Sequence, residues 1–172
     1  MSNKSALTLL ENGSLAIATL VFGVMAGFFW TYTFNVNLAM LQVDGETYAK
    51  VQSLFNENVR HLMFFAFFFG GGLFSIIAVV INLKQWKTVS FWLIVLATVV
   101  YIAGVIVFTQ QVNLPLNDYT ESWQPSNLPA DWMDTRNSWN EANAVRVVTS
   151  FMPFLLCVMA LVLRANQPSV AD

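Results

Sequence analysis

Six polar residues in an otherwise apolar chain could do chemistry together. They are an imidazole, a guanidinium, three amides and an indole: His61, Arg146, Asn113, Asn117, Asn143 and Trp139. An imidazole can transfer protons, a guanidinium can stabilise negative charge, and amides can orient a bound oxygen atom. A mononuclear metal centre needs several histidine or carboxylate ligands facing one point, and this chain has one histidine. We therefore expect no metal and no cofactor within one subunit.

Composition places these residues in a lipid bilayer. Of the 172 residues, 56 % are hydrophobic and 10 % are charged, whereas about a quarter are charged in soluble domains. Four apolar runs are each close to the roughly 20 residues that cross a bilayer as a helix; they cover residues 15–40, 62–82, 89–111 and 145–163. None alternates with period two, so all four are predicted to be helices rather than barrel strands. The expected fold is all-α, an integral membrane four-helix up-down-up-down bundle, with residues 1–172 as a single membrane domain.

Helical extensions are predicted on the outer side of this bundle. From Asp44, a helix cap, four residues follow at helical spacing, and we expect this helix to run unbroken into the second span. They are Tyr48, Val51, Phe55 and Val59. Pro125 and Pro129 exclude a continuous helix before Asp131, after which a helix can restart. Its face carries residues at alternating intervals of four and three: Trp132, Arg136, Trp139, Asn143, Arg146 and Ser150.

The bundle order brings polar segments of all four spans to one membrane surface. These segments are TYTFNVN, NENVRH, TQQVNLPLN and WNEANAVR. The opposite ends offer only a Lys-rich turn, Asn82 and Arg164, so a single polar layer is expected. Pro115 is predicted to end the third helix and to free carbonyl groups that Arg146 and neighbouring amides would bind. Ionisable groups in membrane segments usually mark a site, although side chains at helix ends can also simply reach the headgroups.

Aromatic side chains concentrate just beneath this polar layer, in the first two spans. Most are expected to face lipid or to fill the core. Those that face inward would line a flat apolar pocket capped by amides and an arginine, which suits an aromatic or quinone-like ligand. Gly23, Gly27 and residues 70–72 are expected to let helices approach closely.

Charge and cysteine content limit the partners and indicate an orientation. The net charge of -2 gives no reason to expect nucleic acid, and the single cysteine, Cys157, excludes an intrachain disulfide. Lys and Arg are densest on the side of the turn KQWK, which Lys4 and Arg164 share, so both termini are expected to be cytoplasmic in an inner or plasma membrane. The expected partners are membrane lipid and a hydrophobic aromatic small molecule, and four spans form so thin a bundle that a homo-oligomer would be unsurprising.

Four motifs in a fixed order give the chain a family resemblance from about Leu15 to Leu163. They are AGFFWTYTFNVNLAML, then FNENVRHLMFF followed by GGG, then VNLPLND, then W-x-x-x-N-x-x-R at Trp139, Asn143 and Arg146. In this order they resemble the anthrone-oxygenase-like family of small four-helix membrane proteins. The chain departs from the family at Asn143, where histidine is common, and at residues 59–62, which lack a common Asn-Pro pair.

The resemblance implies oxidation of anthrones, which are tricyclic phenolic ketones, to anthraquinones by molecular oxygen. A cofactor-independent route would remove an acidic, doubly benzylic proton and let the carbanion react with oxygen directly. His61 is the candidate base and Arg146 the candidate charge stabiliser. The candidate substrate-binding residues are Asn35, Asn113, Asn117, Trp139 and Asn143.

The alternative hypothesis is a non-catalytic membrane scaffold or accessory subunit, in which the polar layer only joins the helices. The two hypotheses differ in whether Arg146, Asn117 and His61 converge on an open aromatic cavity.

Overall fold

Most of the described part of the chain is helical. The computed structural model describes the backbone of residues 3–166 and the side chains of residues 6–166; the Lys4 side chain and both chain ends, used in the predicted orientation, lie outside this part. The α-helices are α1 (Asn3–Thr31), α2 (Asn37–Met40), α3 (Gly45–Asn58), α4 (Leu62–Ile81), α5 (Val89–Tyr101), α6 (Leu114–Glu121) and α7 (Trp132–Ala165). Residues 3–166 contain no strand, which confirms the all-α prediction.

Wider helical turns join several of these helices into longer ones. The π-helical turn Tyr32–Val36 links α1 to α2, and the π-helical turns Ile102–Val107 and Thr109–Asn113 link α5 to α6. A 3-10 turn, Leu83–Gln85, precedes α5. Such π-helical turns are uncommon and occur frequently at functional sites.

Four helical stretches of the described chain are long and apolar enough to cross a bilayer. We call them spans one to four: Ala6–Met40, Leu62–Ile81, Val89–Glu121 and Trp132–Ala165. α1 and α5 each pack against both α4 and α7, which closes the bundle. Large apolar side chains such as Leu20 and Leu62 face outward, as lipid contact requires. The protein is an integral membrane four-helix bundle.

Close helix packing in the bundle centre depends on two glycines. Tyr101 is fully buried, and its hydroxyl donates to the Phe68 carbonyl at 2.9 Å. A Cβ atom at Gly71 would lie 2.4 Å from Cζ of Tyr101, and one at Gly104 would lie 2.5 Å from Cβ of Thr149. Both positions therefore require glycine because the neighbouring helix approaches too closely for a side chain.

The predicted continuous helix from Asp44 into span two is wrong. α3 ends at Asn58, and His61 adopts an extended backbone (φ −127°, ψ 162°) before α4 begins at Leu62. The His61 Nδ1 atom accepts the Phe64 N–H at 3.3 Å, so His61 caps a new helix. The chain turns here because α3 packs on α6 outside the bundle.

The predicted end of the third helix at Pro115 is also wrong. The helix continues to Glu121, with Pro115 in the first turn of α6. A proline inside a regular α-helix clashes with the carbonyl four residues earlier. The π-helical turn Thr109–Asn113 immediately before it changes that spacing, so the proline is tolerated.

The end of the bundle that carries α3 and α6 is covered by a second apolar cluster, here called the outer cluster. Its buried members are Met40, Tyr48, Ala49 and Trp123, and Leu128 and Trp132 pack against them. Asp44 caps α3 as predicted, with Oδ1 accepting the Thr47 N–H at 2.8 Å. The buried face of α3 differs from the predicted apolar spacing: Tyr48, Gln52 and Asn56 are buried, whereas Phe55 is 40 % exposed.

The expectation of one polar layer is wrong, because the opposite end of the bundle holds a second buried polar cluster. Glu11 is 5 % exposed and accepts a hydrogen bond from Gln85 Nε2. Asn82 is fully buried and donates to the Glu11 carbonyl at 3.3 Å. Arg164 donates to Ser90 at 3.3 Å and to Asn12 at 3.2 Å. These bonds join the start of span one to the segment after span two and to the end of span four.

Candidate functional site

Arg146 is a buried cation held only by neutral groups. It is 7 % exposed, and its Nη2 atom donates to Asn143 Oδ1 at 2.7 Å. Its Cζ atom lies 4.7 Å from the centre of the Phe29 ring and 5.5 Å from that of Trp139. Within residues 6–166, no carboxylate lies in ion-pair distance of it, and its Nε atom has no hydrogen-bond partner. Its charge is therefore left without a counter-ion.

Asn143 positions this arginine and ties α7 to α1. The Asn143 side chain is 1 % exposed. Its Nδ2 atom donates to the Phe29 carbonyl at 3.3 Å and to Thr33 Oγ1 at 2.7 Å. The three-residue spacing of Asn143 and Arg146 puts both on one helix face, and the arginine side chain points back towards the helix start. All hydrogen-bonding positions of the amide nitrogen are thus in use.

Beside Arg146, a chain of hydrogen bonds leads from α7 outward to α6 and α3. Trp139 Nε1 donates to Asn117 Oδ1 at 2.6 Å, and Thr120 Oγ1 donates to the Asn117 carbonyl at 3.0 Å. Asn56 Nδ2 in turn donates to Thr120 Oγ1 at 3.3 Å.

The same chain returns to α7 through span one. Gln52 Nε2 donates to Asn56 Oδ1 at 3.2 Å, and the Tyr32 hydroxyl donates to Gln52 Oε1 at 2.8 Å. The Tyr32 ring then contacts the Trp139 ring, with 4.7 Å between centres. We call this closed set the polar circuit; its members are Tyr32, Gln52, Asn56, Asn117, Thr120 and Trp139.

Asn113 is a buried amide with neither of its polar atoms bonded. It is fully buried in the turn before α6, and no described group lies in hydrogen-bond geometry with its Nδ2 or Oδ1 atom. The contacts Thr149 to Gly104 and Trp139 to Asn117 fix the register of the antiparallel spans three and four. This register puts Asn113 at the level of Asn143. Because most buried polar groups are bonded, Asn113 is a candidate partner for a water molecule or a ligand oxygen.

Two predicted site residues lie outside the buried group formed by Arg146, Asn143, Asn113 and the polar circuit. His61 is exposed at the start of α4. A neutral imidazole that accepts at Nδ1 carries its proton on Nε2, so His61 can take a further proton only at the atom that caps α4. Asn35 is exposed in the first π-helical turn.

Sequence reasoning missed several members of this site. Tyr32, Thr33, Gln52 and Thr120 make its hydrogen bonds, but they were not among the predicted site residues. The spacing of Gln52 and Asn56, four residues apart on a helix, was the available signal. The turn that directs Tyr32 and Thr33 inward has no such signal, because nothing local in TYTFNVN indicates a π-helical turn.

Two open grooves lie on the lipid-facing surface of the described chain. One, between α1 and α7, measures about 290 Å³ and is lined by Gly23, Ala26, Gly27, Trp30, Phe151 and Phe154. The other, near the opposite membrane end, measures about 310 Å³ and is lined by Leu9, Leu10, Gly13, Ser14, Ile17, Phe74, Ile77 and Ile81. Arg146, Asn117 and His61 line neither groove, so these grooves are not the open aromatic cavity on which the enzyme hypothesis expects the three residues to converge. Within residues 6–166, no three His, Cys, Asp or Glu side chains are grouped to hold a metal ion.

Comparison with known proteins identifies the family. The profile of the anthrone oxygenase family matches residues 60–156, more than half of the chain. This chain belongs to the anthrone oxygenase family. The matched region runs from Arg60 through α4, α5 and α6 into α7, and it includes His61, Asn113, Asn143 and Arg146. Searches of curated proteins and of solved structures give no match.

Proposed function

We propose that this anthrone oxygenase family member binds a planar, acidic phenolic or quinone-like molecule from the lipid phase and oxidises it with molecular oxygen. The observation that carries the proposal is the buried Arg146 guanidinium without a carboxylate partner. A buried charge is costly unless it is paired. The ionised oxygen of an anthrone would supply the missing partner, and the flat rings of Phe29 and Trp139 beside the guanidinium suit an aromatic ligand.

The proposed reaction needs no electron carrier besides oxygen. A base removes a proton from the methylene carbon between the two aromatic rings, and the electron pair moves onto the carbonyl oxygen, where Arg146 stabilises it. The carbon then bonds to O2 and forms a hydroperoxide after protonation. Loss of water converts this carbon into a carbonyl group, so anthrone and O2 give anthraquinone and water.

The predicted residues other than the exposed Asn35 each have a role in this proposal. Asn113 supplies a free amide for the second ligand oxygen, and Asn143 positions Arg146. Trp139 forms an aromatic wall that Asn117 holds in place. His61 is the base, and it acts only when the Phe64 N–H is released from Nδ1.

Buried residues cover the proposed site, which favours a reaction that must exclude water. Gln52, Asn56 and Thr120 are 0 to 4 % exposed although they lie in the outer half of the molecule. Tyr48, four residues before Gln52, and Trp123, three residues after Thr120, are buried in the outer cluster, and burial raises the pKa of the Tyr48 phenol. A dry site strengthens the interaction between an ionised oxygen and a guanidinium.

A non-catalytic scaffold or accessory subunit is the second candidate function. It is favoured by the closure of the polar circuit on itself, because such a network joins helices without any ligand. It is also favoured by the position of the two grooves, neither of which is lined by Arg146.

Turnover by purified protein separates these candidates. The full chain in detergent would be given 1,8-dihydroxyanthrone and oxygen, with quinone absorbance, oxygen consumption and metal content measured together. We expect quinone above the uncatalysed rate, with one O2 consumed per quinone, and loss of this activity in Arg146→Met. Binding without quinone formation would support the accessory role, and neither binding nor turnover with this and related phenols would overturn the proposal.

A further inference from the structure

The groove between α1 and α7 is here called the aromatic groove. It lies along the same line of contact between these two helices as Asn143 and Arg146, and we call this line the seam. Asn143 joins α7 to Phe29 and Thr33 of span one on this seam. Eight residues further along α7, Phe151 lines the groove, at a distance of about 12 Å for a rise of about 1.5 Å per residue. The groove therefore begins about two helical turns from Asn143, towards the membrane centre.

The lining of the aromatic groove is suited to flat rings. Trp30 and Phe151 lie with 5.8 Å between ring centres, and Phe151 and Phe154 with 6.1 Å. The second groove, here called the aliphatic groove, has a similar volume, but Phe74 is its single ring. Aromatic side chains favour offset or edge contacts with other rings, which a saturated lipid chain cannot make. The comparison indicates a planar aromatic occupant rather than lipid alone.

Charge complementarity supports the same occupant. No charged side chain lines the aromatic groove, whereas the unpaired Arg146 guanidinium lies at the outer end of the seam. A ligand with an apolar ring system and one ionised oxygen matches both parts. Its rings would lie in the groove, and its oxygen would point outward to Arg146.

Gly27 leaves the aromatic groove open, and no helix contact inside the bundle requires a glycine at this position. A Cβ atom at Gly27 would meet nothing within 4 Å, whereas one at Gly23 would lie 3.0 Å from the Phe154 ring. Glycine lowers helix stability relative to alanine, and no neighbouring helix requires it at position 27. The open space on the lipid side of Gly27 is the feature that an entering ligand would use.

We infer that the aromatic groove binds the rings of a planar aromatic ligand that enters from the lipid side and whose ionised oxygen reaches Arg146. This inference rests on the proposed function and adds a route and a position for the ligand. The outer cluster covers the aqueous side of the site, which leaves the lipid side as the approach.

Two glycines on α1 give a matched test. Gly27→Leu fills the aromatic groove, and Gly13→Leu fills the aliphatic groove, where a Cβ atom likewise meets nothing within 4 Å. The full chain in lipid nanodiscs would be titrated with 1,8-dihydroxyanthraquinone, with tryptophan fluorescence quenching as the readout and empty nanodiscs as the blank. We expect Gly27→Leu to weaken the apparent affinity at least about tenfold and Gly13→Leu to change it less than about twofold.

A second variant keeps the test valid if Gly27→Leu does not fold. Phe151→Leu removes one ring from the lipid-facing side of the groove, and it should weaken binding about threefold or more, in proportion to the lost ring contact. Equal weakening by Gly13→Leu and Gly27→Leu would overturn the inference, because it would indicate a general effect on lipid contact.

The outcomes also distinguish this inference from the function on which it rests. Wild-type affinity in both Gly27→Leu and Phe151→Leu, together with lost binding in Arg146→Met, would overturn the aromatic groove and leave the proposed site intact. No binding by the wild-type protein, or full binding by Arg146→Met, would overturn both.

Discussion

Arg146 Nη2 donates to Asn143 Oδ1 at 2.7 Å, and the same asparagine binds the Phe29 carbonyl and Thr33 of span one. A guanidinium within the membrane bundle is therefore oriented through an amide that is itself fixed by a neighbouring helix. The Asn143 side chain is a neutral amide, which cannot act as a proton acceptor near neutral pH. The arrangement positions a cation, and it assigns proton transfer to some other group.

Replacing Arg146 with methionine should separate its role in binding from its role in folding. Arg146→Met removes an unpaired buried charge but also leaves Asn143 Oδ1 without its donor, so we expect the free energy of unfolding to change by less than about 2 kcal/mol. Binding of 1,8-dihydroxyanthrone should weaken at least about tenfold. Arg164→Met, which alters the opposite end of the bundle, is the control and should bind normally. A collapsed fold in Arg146→Met would mean that the guanidinium is structural.

Replacing His61 with asparagine tests the proposed base without removing the helix cap. Asparagine is also a good N-cap residue, so α4 should begin normally and ligand affinity should stay close to that of the wild type. Turnover should fall about a hundredfold or more because the proton acceptor is lost. The measurement is quinone formation at saturating anthrone. Full turnover by this variant would show that the imidazole serves only as a cap.

Gly71 and Gly27 should respond in opposite ways to alanine. Gly71→Ala pushes a methyl group into the buried Tyr101 ring, and we expect a loss of about 1–3 kcal/mol in unfolding free energy. Gly27→Ala meets nothing within 4 Å and should gain up to about 1 kcal/mol from helix propensity. Thermal unfolding in one detergent compares both variants. Equal stability of the two would contradict the close helix contact at Tyr101.

The bond from Trp139 to Asn117 should be measurable by a double-mutant cycle. Trp139→Phe and Asn117→Leu each remove one partner, and we expect a coupling of about 1 kcal/mol between them. Trp92→Phe is the control, because the Trp92 indole donates to the Trp86 carbonyl at the exposed surface and its loss should matter less. A coupling near zero would mean that Trp139 and Asn117 are not hydrogen-bonded in the membrane, so the polar circuit is not closed there.

The Asp44 cap should make the start of α3 sensitive to acid. The Thr47 backbone N–H, which donates to the carboxylate, lowers the pKa of Asp44 in the folded protein. A lowered pKa means that the stabilisation is complete above the unfolded value of about 3.9 and is lost as pH falls through the folded value. Amide exchange at residues 45–48 should therefore be slower in the wild type than in Asp44→Ala at neutral pH. This difference should shrink below about pH 4, and a constant difference would contradict the charged cap.

Much of the local structure followed from the sequence. Four apolar runs of spanning length predicted the bundle, because an open chain in lipid can satisfy its backbone hydrogen bonds only as helices. The two prolines before Asp131 and the alternating spacing from Trp132 to Ser150 predicted where α7 starts and which face it buries, and both are confirmed. The alternating intervals succeeded because a helix repeats every 3.6 residues whatever it packs against.

The errors arose where a distant contact overrides a local signal. α3 separates from α4 at His61 because it packs on α6, which lies more than fifty residues later in the chain. Pro115 fails to end its helix because a π-helical turn precedes it, and that turn lies against span four. Glu11 belonged to no predicted polar cluster, yet its carboxylate accepts from Gln85 and its carbonyl accepts from Asn82, both in the segment after span two.

The sequence by itself determined the membrane location, the helical class and the helix face that carries Trp139, Asn143 and Arg146, since these depend on composition and on helical periodicity. The tertiary structure alone decided which of the polar groups meet. Asn143 and Phe29 are 114 residues apart in the chain, and only the packing of α7 against α1 brings them into contact. The same packing left Arg146 and Asn113 buried without full partners, while it placed His61 at an exposed helix start.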